Sequence, residues 1–106
     1  MLTLLDHSVP QPLRAYLPAH TVHTAEQLGW DRLPDGEVIT LAEEAGYELP
    51  ITCDKGIRYQ QNLVGRNLSV LVLMYNNWRL IRARVDAITA SINEMGAGEL
   101  REVTII

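Results

Sequence analysis

The feature that most constrains this chain is its longest strongly apolar run, Val70 to Tyr75, with Leu68 just before it. The run is continuous where a half-exposed strand would alternate, and it is partly β-branched. Such a stretch predicts a strand over Leu68 to Tyr75 that is buried on both faces, which requires helices on either side of a parallel sheet. It is also far short of the ~20 apolar residues that a membrane-crossing helix needs, so no membrane partner is expected. The chain has 106 residues, which is room for a single domain spanning 1–106.

The remaining segments fit the same plan. Leu2 to Leu5 reads as a buried strand ended by Asp6. Pro10 and Pro12 favour a helix start, with Leu13, Tyr16 and Leu17 on one face until Pro18. His20 to Thr24 reads as a half-exposed strand, and Glu26 to Pro34 as a connection. Asp35 is placed to cap a helix running to Ala45, where Gly46 stops it. Leu49 to Cys53 reads as a third strand, with Pro50 restricting pairing near its start. Asp54, Lys55 and Gly56 form the turn that follows. Asn76 or Asn77 caps one long helix, whose apolar positions Trp78, Ile81, Val85, Ile88, Ile92 and Met95 are spaced three or four apart. Gly96 and Gly98 end it, and Val103 to Ile106 reads as the last strand. Strands alternating with helices predict an α/β domain with a mainly parallel central sheet flanked by helices.

Charge is unevenly spread. The first 54 residues carry nine acids and two arginines, whereas residues 55–84 carry Lys55, Arg58, Arg66, Arg79, Arg82 and Arg84 and no acid. An acid-free basic segment in a chain of net charge −4 can act as a local phosphate-binding face; the plainer reading is a solvated surface. Within it, Tyr59-Gln60-Gln61-Asn62 offers either a base-stacking and hydrogen-bonding strip or a polar helix face. The single cysteine, Cys53, forbids an internal disulfide and fits a buried strand position in a reducing, cytoplasmic setting. The N-terminus has no basic region and reaches Asp6 quickly, so it does not read as a signal peptide. His20 and His23 lack helical ligand spacing and cysteine companions, which argues against zinc. Trp78 reads as the anchor of the long helix, and Trp30 as either an anchor or a surface contact.

Ligands of open parallel sheets bind at the carboxyl ends of the strands. Asp6, Asp54 and Asn76 follow the first, third and fourth predicted strands. Asp35 stands at a helix start, with Glu37 further into the helix. Converging carboxylates repel one another unless a cation lies between them, and hard oxygen ligands suit Mg²⁺ or Mn²⁺. The simpler alternative is that each aspartate only ends a strand or caps a helix.

Three blocks carry a family resemblance. Leu4-Leu5-Asp6-His7-Ser8-Val9-Pro10 resembles the "LLDxNLP" opening of the small DUF5615-type PIN-like proteins. Pro34-Asp35-Gly36-Glu37-Val38-Ile39, followed by Ala42, resembles their "sDeei…A" helix start, and Thr52-Cys53-Asp54-Lys55 resembles their "TxDkDF" turn. The resemblance implies a three-layer PIN-like fold and kinship with Mg²⁺- or Mn²⁺-dependent ribonucleases, including toxins of toxin–antitoxin pairs. It makes Asp6, Asp35 and Asp54 the metal-binding acids, with Glu37 as a stand-in for Asp35. On that reading Asn76 assists, Lys55, Arg58 and Arg66 hold the RNA backbone, and an antitoxin or a second copy of the chain are the protein partners to expect. His7 and Ser8 replace the usual Glu-Asn, and Gly56 and Ile57 replace Asp-Phe. Those departures support an alternative, a PIN-like binding module without catalysis. A receiver-like domain with a phospho-accepting aspartate has similar acid spacing, but it needs a late lysine and the chain has none after Lys55.

Overall fold

A computed structural model describes residues 1–54, 56 and 66–105, with Asp35 by its backbone only. Five short strands form one sheet: β1 (Leu2–Leu5), β2 (Thr21–Thr24), β3 (Leu49–Thr52), β4 (Val70–Leu73) and β5 (Leu100–Val103), in the spatial order β2-β1-β3-β4-β5. Every pairing is parallel. The α/β architecture read from the sequence is present, and its sheet is parallel throughout.

Side chains alternate across the sheet, as the strand period requires. On one face Leu5, Leu49, Ile51, Leu71, Leu73 and Val103 pack against Val9, Leu13 and Leu17 and against Ile81, Ile88 and Ile92. Leu13 belongs to a short 3₁₀ segment, Gln11–Tyr16. Ile81 lies on a helix over Trp78–Ala83, and Ile88 and Ile92 lie on one over Val85–Glu94. On the other face Leu4 meets Val38, Ala42 and Tyr47, while Val70 and Val72 meet Ile39 and Leu68. Val38, Ile39 and Ala42 come from the helix Asp35–Glu44. The sheet is therefore a middle layer, and all four β4 residues are buried, as the uninterrupted apolar run predicts.

The helices are labelled in chain order: α1 (Ala25–Leu28), α2 (Asp35–Glu44), α3 (Trp78–Ala83) and α4 (Val85–Glu94). Thr24 and Gln27 form a reciprocal capping box at the start of α1, which satisfies two of the end N–H groups and holds this very short helix. Gly46, at φ +90°, lets the chain reverse after α2, where Tyr47 N–H reaches Ala42 O at 2.9 Å. Trp30 is an anchor: it packs in the Leu4 cluster and sits edge-on to Tyr47, their ring centroids 6.4 Å apart. His23 Nδ1 lies 2.7 Å from the Tyr47 hydroxyl, and burial pushes the Tyr47 phenol above its ordinary pKa.

The helix after Pro10 is a 3₁₀ segment, with Pro10 at its cap and Pro12 in its first turn. Three local expectations are corrected. Pro34, not Asp35, occupies the cap position of α2, and it makes no side-chain cap hydrogen bond. The predicted long helix is broken at Arg84, whose φ of −118° and ψ of 19° lie outside the helical region. Its N–H bonds back three residues to Ile81 O at 2.9 Å, so the turn tightens without losing the apolar stripe. The last strand begins at Leu100, not Val103. Arg101 is held there by Glu99 at 2.6 Å and Glu94 at 3.0 Å, which lets charged residues occupy an edge strand.

Pro50 lies inside the central strand. Ile51 O accepts from Asp6 N–H on the β1 side, so by the parallel pattern the missing Pro50 N–H falls on the β4 side. Pairing with β4 accordingly begins only at Ile51↔Leu71, the restriction expected near the strand start. Among the described residues, no helix is long and apolar enough to cross a membrane.

Candidate functional site

From β1 the chain moves outward to β2, then returns past β1 to β3 and continues to β4 and β5. The strand order therefore reverses between β1 and β3, and their carboxyl ends form the topological switch point at which open parallel sheets bind ligands. Asp6 and Asp54 follow the two strands that border it.

Asp6 is fixed on three sides. Its N–H extends the β1–β3 ladder to Ile51 O at 3.1 Å, and its carbonyl accepts from Val9 N–H at 3.1 Å. Carboxylate Oδ1 accepts from Ser8 N–H at 2.9 Å and from the Ser8 hydroxyl at 2.5 Å. Ser8 Oγ in turn accepts from Cys53 N–H at 2.9 Å. One hydroxyl thus ties the end of β1 to the end of β3, next to Asp54. Among the described residues the other carboxylate oxygen, Oδ2, has no hydrogen-bond partner, although Asp6 is only 2% exposed. Leaving a buried polar atom unsatisfied costs about 1–3 kcal/mol, and more when it is charged; such an atom marks a place for a cation or a donor.

Ser8 is the residue at this candidate site whose bridging role the sequence reading missed. Ser8→Ala removes an acceptor from Cys53 N–H and a donor from Asp6, so it is expected to destabilise the domain by about 1–3 kcal/mol, with Ser8→Thr recovering most of the loss. Urea denaturation of the three proteins measures this. An unchanged midpoint in Ser8→Ala would show that the bridge contributes nothing.

Asp54 is half-buried. Its Oδ1 accepts from Gly56 N–H at 2.9 Å, and its own N–H donates to Thr52 Oγ1 at 3.0 Å. This is the turn expected from the sequence, built so that one carboxylate oxygen is committed to it. Beside it the Cys53 thiol donates to Tyr75 O at 3.5 Å, which links β3 to the chain leaving β4. Asn76 is exposed in that same exit. Asn77 caps α3, its Oδ1 accepting from Leu80 N–H at 3.3 Å.

The other predicted site residues are placed differently. The crossover from β2 brings the start of α2, and with it the Asp35 backbone, to the same edge of the sheet; the Asp35 side chain is not among the described residues. Glu37 is exposed and borders a shallow groove with Leu33, Gly36, Thr40 and Leu41 on α2. Arg66 forms a forked ion pair with Glu43, with bonds of 2.7 and 2.6 Å. Hydrogen bonding from Arg66 holds the Glu43 carboxyl below its ordinary range and raises the guanidinium in turn. Lys55, Arg58, Ile57 and the run Tyr59 to Asn62 lie outside the described residues.

Among the described residues, no group of three or more His, Cys, Asp or Glu side chains could hold a metal ion. Mg²⁺ commonly takes one or two protein carboxylates and fills its shell with water and substrate phosphate, and the carboxylates that such an ion would use here are those of Asp6 and Asp54. The unpartnered Asp6 oxygen fits that role. No family model matches the chain, and neither a curated protein nor a solved structure matches it.

Proposed function

We propose that the chain is a PIN-like ribonuclease dependent on Mg²⁺ or Mn²⁺, with its site at the carboxyl ends of β1 and β3. One observation carries this reading: a carboxylate that is 2% exposed, with one unpartnered oxygen, sits at the switch point of a parallel sheet. Asp6 and Asp54 would hold the cation, with Asp35 at the neighbouring helix start as the third candidate. The bound cation would neutralise phosphate charge and lower the pKa of water at the scissile phosphodiester. The residues of the chain supply positioning. Ser8 holds the Asp6 carboxylate in one rotamer and fixes the β3 exit beside it, while the Gly56 N–H orients Asp54. Asn76, exposed at the β4 exit, would contact the substrate strand.

A PIN-like module without catalysis is the second reading. It is favoured by the lack of a three-residue acidic group among the described residues. A phospho-accepting receiver is disfavoured, because Lys55 is the only lysine in the chain and it immediately follows the acid it would have to serve.

Incubation of the protein with a labelled single-stranded RNA, in Mn²⁺ and in EDTA, separates the readings. Cleavage is expected in Mn²⁺ only, and Asp54→Asn is expected to lower it by at least a hundredfold, the scale of removing a principal stabiliser of transition-state charge. Metal binding without cleavage would leave the binding module. Cleavage in EDTA, or cleavage undiminished in Asp54→Asn, would overturn the assignment.

A further inference from the structure

The described arginines fall into two groups. Arg66 and Arg101 are neutralised by carboxylates at 2.6–3.0 Å. Arg14, Arg32, Arg79, Arg82 and Arg84 are exposed, and among the described residues none of them has an ion-pair partner. The sequence holds no acid between Asp54 and Asp86. Asp86, four residues beyond Arg82, lies across the break at Arg84 and makes no ion pair with it. Unpaired cations in a chain of net charge −4 are the part of the surface suited to an anion.

Two aromatic residues lie near them in the chain. Tyr16, two residues after Arg14, is 39% exposed. Its ring meets that of Trp78, adjacent to Arg79, with centroids 5.5 Å apart and planes tilted by 58°. Trp78 is half-buried against the core, which gives the pair a rigid backing. Both elements leave the same edge of the sheet: the 3₁₀ segment follows the Asp6 turn, and α3 follows the β4 exit. Both therefore start at the carboxyl edge of the sheet, the edge at which Asp6 lies.

Building on the ribonuclease reading, we propose that Tyr16, Trp78, Arg14, Arg79 and Arg82 form an entry face for single-stranded RNA. The arginines would take backbone phosphates, and the exposed Tyr16 ring would stack a base. The composition selects this ligand. An acidic peptide matches the charge but offers the rings no base to stack, and a duplex hides its base faces from them.

The test is anisotropy of a labelled oligouridylate about twelve nucleotides long, within the usual single-strand site size, in EDTA so that binding is read apart from cleavage. Arg79→Ala combined with Arg82→Ala is expected to weaken binding at least tenfold at low salt. It should also reduce the log–log salt slope by about 1.4, the release expected from two single-strand phosphates. Tyr16→Ala should weaken binding roughly ten- to a hundredfold and leave the slope unchanged. Tyr16→Leu, which keeps an apolar cover over Trp78, should show the same loss and guards against a folding artefact. Unchanged affinity and slope in these variants would overturn the proposal. So would competition by polyglutamate or duplex RNA as strong as by unlabelled oligouridylate, or tighter binding of oligothymidylate. RNA bound by this face but never cleaved would remove the nuclease reading alone; RNA cleaved equally well by the face variants would remove the face alone.

Discussion

Replacing Leu71 with alanine is expected to lower the unfolding free energy by about 2–5 kcal/mol. Leu71 is fully buried in β4, paired with Ile51 on one side and Arg101 on the other. Its side chain belongs to the cluster that joins β1 and β3 to α3 and α4. The substitution loses transfer free energy and leaves a cavity between regular elements that cannot readily collapse. A domain of this size has a total stability of about 5–15 kcal/mol, so the loss is a large share of it. At about 4–8 °C per kcal/mol, Tm should fall by roughly 10 °C or more. Thr104→Ala, one residue past β5 and exposed, is the control and should stay within about 0.5 kcal/mol. A Leu71→Ala cost under about 1 kcal/mol would contradict a β4 covered on both faces.

The same residue shows why the fold was legible. β4 is apolar at consecutive positions, and only a doubly covered parallel strand accounts for that pattern. The local errors have physical causes as well. Nothing marks Arg84 as a break, because neither proline nor glycine is present and the three-four spacing from Ile81 through Val85 to Ile88 continues across it. β5 was placed late because Arg101 and Glu102 read as surface. Their tolerance in a strand depends on its edge position and on two ion pairs to Arg101.

At the candidate site, Asp6 and Asp54 were legible because each immediately ends an apolar run. Ser8 was not, since its meaning comes from Cys53, 45 residues away. The pairing of Arg66 with Glu43, 23 residues apart, is equally invisible along the chain. Its forked geometry shows that the basic segment is not uniform: Arg66 is electrostatically offset, whereas Arg79 and Arg82 are not.

Mn²⁺ is expected to raise the Tm of the protein, and both Asp6→Asn and Asp54→Asn are expected to abolish most of that rise. A ligand that binds only the folded state at a hundred times its Kd adds about 2.7 kcal/mol, which for this size of domain is roughly 10–20 °C. Asparagine is the informative substitute, because it deletes charge and keeps the acceptor. In Asp54→Asn the turn bond from Gly56 N–H to Oδ1 can persist, whereas alanine would lose it at a cost of about 0.5–2 kcal/mol, as for comparable caps. In Asp6→Asn both donations from Ser8 can persist, and a buried charge with an unpartnered oxygen is removed. The metal-free Tm of each variant should therefore match or exceed that of the parent. If the aspartates served only as turn formers, the outcome would be different: Mn²⁺ would move none of the melting curves. A thermal-shift titration of the three proteins, run with EDTA as reference, decides between them. Equal Mn²⁺ responses in the parent and both variants would remove these carboxylates from any metal site and leave the switch point between β1 and β3 without its proposed chemistry.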